Sequence, residues 1–365
     1  MSASTAAEAM ATGIRKAVPD ATIDCCPIAD GGEGTLTALT TALPGELHRD
    51  IVSGPLGEPL EAAIATFAEG SFAVVESAAA AGLQLVPEEL RDPARTSSRG
   101  VGELIMVATR SKPHKIIVAI GGSATNDGGC GMAQAIGIRF YDNAGDEISE
   151  PLTGGTLGNI ARIDATGRLP ALNNIELVVA SDVRNPLTGP DGATYVYAPQ
   201  KGATKEQMKS LDAGLAHLAG LIRRDLSIDV EMLPGSGAAG GLGAGLVAFA
   251  GATITSGIDT VLDAVEFDRR VHTCDLCLTG EGQIDAQSIS GKACMGVARA
   301  AAKHGVPTIA LVGAAGAGAE QCREAGLQDY VLIGEGLPTE ESIRQAEVLT
   351  AVAAGEIAKN FLRRN

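Results

Sequence analysis

Tryptophan is absent from this chain of 365 residues, which has only 6 Phe and 4 Tyr against 47 Gly. Its cores must therefore come from Ala, Val, Leu and Ile, with many tight turns between elements. No stretch approaches the roughly 20 uninterrupted apolar residues of a membrane span. The N-terminus lacks a basic region followed by an apolar one, so no signal peptide is expected and the expected compartment is the cytoplasm. Basic residues are scarce, 28 Lys and Arg against 44 Asp and Glu, for a net charge of −16. That disfavours nucleic acid and anionic membrane as partners, since both need basic surface. A small anionic substrate stays compatible if positive charge is concentrated locally. Seven cysteines without an export signal read as reduced thiols. Cys274 and Cys277 form a lone CxxC in a stretch that reads as a strand, and no second pair exists to complete a zinc site. Cys25-Cys26 reads as core packing. The phosphate-binding GxxxxGK[ST], the protein-kinase HRD and DFG sets and the GxSxG elbow are missing too. The histidines at 48, 114, 217, 272 and 304 are scattered.

Against these absences stands one concentrated feature, IIVAIGGSATNDGGCGMAQAI at 116–136. Ile116 to Ile120 is an uncharged β-branched run, long enough for one buried strand. It breaks into a glycine-rich turn at 121–129, and apolar residues resume at helical spacing with Met132, Ala135 and Ile136. Strand, glycine turn and helix start form an anion site when the backbone N–H groups at the helix N-terminus are free and glycine admits close approach. A carboxylate at Asp127 would repel an anion unless it holds a cation or a proton. The plainer alternative is that Asn126 or Asp127 caps the helix.

Along the chain the same unit recurs. A helix is expected from a capping box at Thr5-Ala6-Ala7-Glu8, then a strand Thr22 to Ile28, the turn 29–35 and a helix Leu36 to Leu43. Strands are expected at Leu47 to Val52, Leu60 to Phe67, Phe72 to Val75, Ile175 to Ala180, Leu276 to Leu278, Thr308 to Val312 and Tyr330 to Ile333. Helices are expected near Val101 to Thr109, Lys205 to Arg224 and Lys292 to Lys303, with a long one at the end. Such alternation predicts an α/β protein of two lobes with mostly parallel sheets, where ligands gather at the carboxyl ends of strands.

Five turns there combine glycine with Asp, Glu or Asn: 29–35, 121–129, 181–185, 235–245 and 279–285. Carboxylates beside anion-binding glycines fit a phosphate donor whose charge is bridged by Mg²⁺. Phosphoryl transfer also needs a base for the acceptor hydroxyl, for which Asp182 and Asp285 are candidates. It needs cations near the phosphates, for which Lys201 and Lys292 are candidates. The residues 235–240 match GxGxxG with Asp259 downstream, which would suit an NAD-dependent oxidoreductase. Pro234 and the short alternating run Leu226 to Leu233 argue against the buried strand that such a fold requires.

Taken together the motifs resemble the bacterial glycerate kinase family with a Rossmann-like first domain. They are ADGGEGT (29–35), GPLGEP (54–59), GLQLVPEELRDP (82–93), TSSRGVGELI (96–105), AIGGSATNDGG (119–129), DVRNPLTGPDGA (182–193), PQKGAT (199–204), GAAGGLGAGL (237–246) and TGEGQID (279–285). The resemblance runs through nearly the whole chain in the family's order. It implies ATP- and Mg²⁺-dependent phosphorylation of D-glycerate to 2-phosphoglycerate, by two α/β lobes, one inserted into a Rossmann-like lobe, with the active site in the cleft. The lobes are expected at 1–48 with 270–365 and at 49–269, in a monomer or a homodimer.

The expected catalytic residues are Asp182, Lys201 and Asp285. Expected to bind substrate or nucleotide are Asp30, Gly31, Gly32, Glu33, Gly34, Gly121, Gly122, Ser123, Asn126, Asn185, Gly237, Gly240, Gly241, Glu281 and Lys292, with Asp127 and Asp285 at the metal. Three positions depart from the family's pattern. A strand with an Asp and a Lys normally precedes the helix that opens this sequence, so a neighbouring strand edge is expected to lie unpaired. Gln283 stands where Arg is common, and Ser181 where Cys is common. The first two departures motivate the alternative of a catalytically impaired relative that still binds glycerate or nucleotide.

Overall fold

The computed structural model describes residues 1–286, 288 and 293–363. The chain divides into two compact units, one of residues 1–30, 37–43 and 256–365, the other of residues 31–36 and 44–255. Both are α/β with mainly parallel pairing, as expected.

The larger unit is built on six strands: β1 (Gly45–Ser53), β2 (Pro59–Phe67), β3 (Phe72–Glu76), β4 (Lys115–Ala119), β7 (Glu176–Ala180) and β8 (Thr253–Thr255), adjacent in that order. A separate antiparallel pair, β5 (Arg139–Tyr141) and β6 (Arg162–Asp164), lies outside this sheet. Pairing is antiparallel from β1 to β3 and parallel from β3 to β8. Ile116, Ile117, Val118 and Ala119 are all buried, so β4 is covered on both faces, and its apolar run is continuous rather than alternating. Phe140 and Phe249 meet edge to face at 5.7 Å in a core otherwise made of aliphatic side chains.

The smaller unit carries three parallel strands, β9 (Cys277–Ile284), β10 (Thr308–Ala315) and β11 (Asp329–Leu332), in the order β11-β10-β9. The helices Ala3–Ala17 and Ala346–Leu362 pack through glycine: a Cβ on Gly13 would lie 1.7 Å from the Ala351 carbonyl oxygen.

Several expectations need correction. The first helix starts at Ala3, and its cap is Ser2, whose hydroxyl accepts the Thr5 N–H at 3.1 Å, rather than Thr5 itself. Thr22 to Ile28 forms no ladder, and among the described residues β9 pairs only with β10. An extended segment without a partner strand is not a strand; this one is anchored by Asp24, which takes two hydrogen bonds from Arg270 at 2.8 and 2.5 Å. A cavity of about 170 Å³ lies between it and β9, lined by Met10, Cys26, Ile28, Val271 and Leu278.

Residues 279–284, expected as a turn, continue strand β9, because their backbone pairs with β10 as far as Ile284. The two compact units divide at 43/44 and 255/256, near the expected lobe edges at 48/49 and 269/270. Residues 45–48 pair along β2, and Ile258 packs on Gly296, which draws the helix Gly257–Ala264 into the smaller unit. No helix among the described residues is long and apolar enough to cross a membrane.

Candidate active site

In the larger unit the parallel register sets Glu76 beside Ala119 and Ala119 beside Ala180. The residues that leave these strand ends, Ser77, Ile120 to Gly122, and Ser181 with Asp182, are therefore neighbours. The turn 31–36 joins them, although it is remote in sequence. A Cβ on Gly121 would lie 2.7 Å from the Gly32 Cα, and one on Gly122 would lie 3.3 Å from the Glu33 carboxylate, so the two turns touch glycine to glycine. Gly31 and Gly34 hold φ of 85° and 90°, and Gly122 of 71°, a region that other L-residues enter at a cost. Glu33 and Gly122 are exposed, and Gly32, Gly34, Gly121, Asp182 and Asn185 are half-buried. The turns 32–33 and 121–122 thus meet at the carboxyl ends of β3 and β4, and Asp182 follows the neighbouring end of β7. Asp30, exposed, belongs to the smaller unit.

Beyond Gly122 the same loop turns inward. Ser123, Asn126 and Asp127 are buried, and Asp127 is wholly enclosed. One oxygen of its carboxylate accepts the Ser98 N–H at 2.8 Å, the Ser98 hydroxyl at 2.7 Å and the Gly131 N–H at 3.1 Å; the other accepts the Gly129 N–H at 3.1 Å. Ser98 in turn accepts the Met132 N–H at 3.0 Å, so its proton is committed to Asp127. The pair satisfies the first amides of the helix Cys130–Ala135. Burial pushes the Asp127 carboxyl above its usual range, against the downward pull of these donors. Four donors and no exposed face leave Asp127 unsuited to a metal, so its expected metal role becomes that of an internal helix cap.

Lys201 is buried too. Its ammonium donates to the Ser123 hydroxyl at 3.0 Å and the Thr125 carbonyl at 2.6 Å, tying the far side of the loop. Burial lowers its pKa to about 7, an effect that the Asp127 charge opposes. A lysine so enclosed braces the loop; it does not present a charge at the surface where a phosphate would lie. The Asn126 amide donates to the Thr194 hydroxyl at 3.1 Å, another internal tie.

Gly237, Gly240 and Gly241, expected to bind substrate or nucleotide, are buried in backbone contacts. A Cβ on Gly237 would meet the Pro186 carbonyl oxygen at 2.1 Å, on Gly240 the Thr125 carbonyl oxygen at 1.9 Å, and on Gly241 the Gly128 Cα at 2.9 Å. Left-handed backbone at Ala239, Gly240 and Gly241 brings the segment onto the loop 125–128, and no strand precedes it, so the dinucleotide-binding reading of 235–240 lacks its scaffold.

Asn185 accepts the Tyr197 hydroxyl at 2.7 Å and donates to the Asp191 carbonyl at 2.8 Å, which fixes its side chain. In the smaller unit, Glu281 is half-buried on β9, and Asp285 follows the strand, its Oδ1 accepting the Ser288 N–H at 3.1 Å and hydroxyl at 3.2 Å. Lys292 lies outside the described residues. Among those described, no three His, Cys, Asp or Glu side chains are grouped to hold a metal ion by themselves. Mg²⁺ carried by a nucleotide's phosphates needs only one or two carboxylates, and the half-buried Asp285 has the chemistry for that.

Sequence reasoning passed over Glu76 and Ser98. Glu76 is the only charged residue in the otherwise apolar β3, and that was its signal; the signal for Ser98 was its place in the family-like stretch 96–105.

The sequence profile of the glycerate kinase family matches residues 1–362. A glycerate kinase of Halalkalibacterium halodurans is 44% identical over 98% of this chain and 94% of its own length. The glycerate 2-kinase of Escherichia coli is 47% identical over 86% of this chain and 82% of its own. The crystal structure of a Salmonella typhimurium LT2 protein assigned as glycerate kinase 2 superposes with a TM-score of 0.86 at 40% identity, covering 100% of this chain and 95% of that one.

Proposed function

The chain belongs to the glycerate kinase family, and from that premise we propose that it transfers the γ-phosphoryl group of ATP to D-glycerate, giving 2-phosphoglycerate. The observation that carries this reading is the juxtaposition in the larger unit. The turns 31–34 and 121–122 touch at the carboxyl ends of adjacent parallel strands, and Asp182 and Asn185 follow the end of the next strand of the same sheet. Glycerate is a small anion with two hydroxyls. Exposed glycine backbone lets its carboxylate approach N–H groups closely, and the fixed Asn185 amide offers a directional partner. Asp182, half-buried, takes the proton of the attacking hydroxyl as the oxygen–phosphorus bond forms and the bond to ADP breaks. Mg²⁺, when bound with the nucleotide, neutralises charge on the phosphate oxygens, and Asp285 would hold it. The 2-phosphate follows the E. coli relative, a glycerate 2-kinase.

The test is ADP release from D-glycerate and MgATP, with the product coupled through enolase. Signal from enolase alone supports the 2-phosphate; signal only after adding phosphoglycerate mutase gives the 3-phosphate. Asp182→Asn is expected to lower kcat at least about 100-fold with an unchanged fold, as loss of a general base should. Near-normal turnover would remove Asp182 from the base role.

A further inference from the structure

Glu76 ends strand β3 and is only 9% exposed. Its carboxylate is held by backbone: Oε1 accepts the Gly34 N–H at 3.0 Å and Oε2 the Leu36 N–H at 3.1 Å. Those amides lie at the start of the helix Thr35–Ala42, so the position that could have received a ligand's anion is filled by the protein's own. Within the turn, the Thr35 hydroxyl closes onto the Gly32 carbonyl at 2.7 Å, which makes 32–35 a preformed loop. The loop also approaches 121–122 glycine to glycine.

We propose that Glu76 is a positioning residue for substrate: it pegs the preformed loop 32–35 against Gly121 and Gly122 and so sets the spacing between the two glycine turns. This rests on the reading of those turns as the glycerate-binding surface. The physical basis is that two charge-assisted bonds from one rigid strand end fix both the distance and the tilt of the loop, whereas a single bond would leave it free to pivot. Burial raises the Glu76 carboxyl and the two amides lower it, so a proton there would remove one of the two acceptors.

Glu76→Gln keeps the side chain's size but presents an NH₂ to one of the two N–H groups. Expected in this variant are a KM for D-glycerate about tenfold higher, kcat within about threefold of wild type, and a cooperative melt retained. By hydrogen exchange, the Gly34 and Leu36 amides should open at least about tenfold faster, while the Gly129 and Gly131 amides, held by Asp127, keep their wild-type rates. An unchanged KM, an unchanged exchange rate at Gly34, or a fall in kcat at constant KM overturns the proposal.

Gly121→Ala attacks the same spacing from the other side, since its Cβ would sit 2.7 Å from the Gly32 Cα. It should raise KM in the same direction, and the double variant should be no worse than the worse single one. If Glu76→Gln fails to fold, Gly121→Ala alone decides, and a wild-type KM there overturns the peg. A wild-type chain that releases no ADP sinks the functional reading instead. The exchange rates at Gly34 and Leu36 then still decide whether Glu76 holds the loop.

Discussion

Gly122 is exposed and a Cβ added to it would meet only side-chain atoms, the nearest at 3.3 Å, whereas Gly240 and Gly241 are enclosed by backbone at under 3 Å from where a Cβ would stand. On the page of the sequence the two stretches look alike, each a glycine cluster next to a helix. The first keeps backbone accessible at a strand end. The second spends its missing side chains on letting one loop lie directly on another. Loss of Cβ thus leaves backbone accessible at Gly122 and serves packing at Gly240 and Gly241, and composition alone does not separate them.

The largest test of that contrast is Gly240→Ala. The new methyl would lie 1.9 Å from the Thr125 carbonyl oxygen, at a φ of 69° that already disfavours a side chain. Since the obstacle is backbone and cannot swing aside, a loss of more than about 4 kcal/mol is expected, read as a collapse of the urea midpoint. A midpoint near wild type would mean that 239–241 is loosely held and free to serve a ligand after all.

Asp127→Asn comes next. Asn cannot accept all four donors, and its NH₂ would face at least one of them inside a closed site. About 3 kcal/mol of stability should be lost, with specific activity of the folded fraction little changed. Unchanged stability with an altered Mg²⁺ dependence of turnover would return Asp127 to the metal.

Much of this was legible in advance. The strand expected at 116–120 and found at 115–119, the helix before it and the alternation of strands and helices follow from β-branched runs and helical spacing, signals that tertiary packing reinforces. What sequence could not supply was depth. Asp127, Lys201 and Asn126 carry chemistry that suits an active site, yet all three are buried, Asn126 and Asp127 because the loop turns inward after Gly122. Thr22 to Ile28 has strand composition, yet a strand exists only with a partner, and pairing is a property of the whole fold rather than of seven residues. Glu76 was hidden for the opposite reason: a single acidic residue after an apolar run reads as the strand's exit, and only the folded chain brings Gly34 and Leu36 to it.

Lys201 tests the inner layer through pH. Folded, its ammonium keeps its proton only below about 7; unfolded, it keeps it up to the ordinary 10.5. Between those values the unfolded chain binds more protons, so stability rises with pH across the window, and the full cost of the buried charge is carried below it. The slope approaches about 1.4 kcal/mol per pH unit, or about 2 kcal/mol between pH 7 and 9. The Cys26 and Cys277 thiols, which burial raises to about 11 and 12, pull the other way at alkaline pH. They titrate alike in both proteins, so the difference between wild type and Lys201→Met isolates the lysine. A difference that stays constant from pH 7 to 9 would show the amine to be solvated, and would restore it as a surface cation.

The smallest effect belongs to Gly34→Ala, the outer counterpart of Gly240→Ala. Gly34 also holds a left-handed φ, 90°, but nothing lies within 4 Å of its added Cβ. Only the backbone penalty remains, about 1 kcal/mol, and the Gly34 N–H can still reach Glu76. Urea titration of the two alanine variants side by side should therefore give midpoints far apart despite similar φ. Equal losses would mean that conformation rather than enclosure sets the cost at both sites, and the distinction between an open and a packed glycine turn would fall.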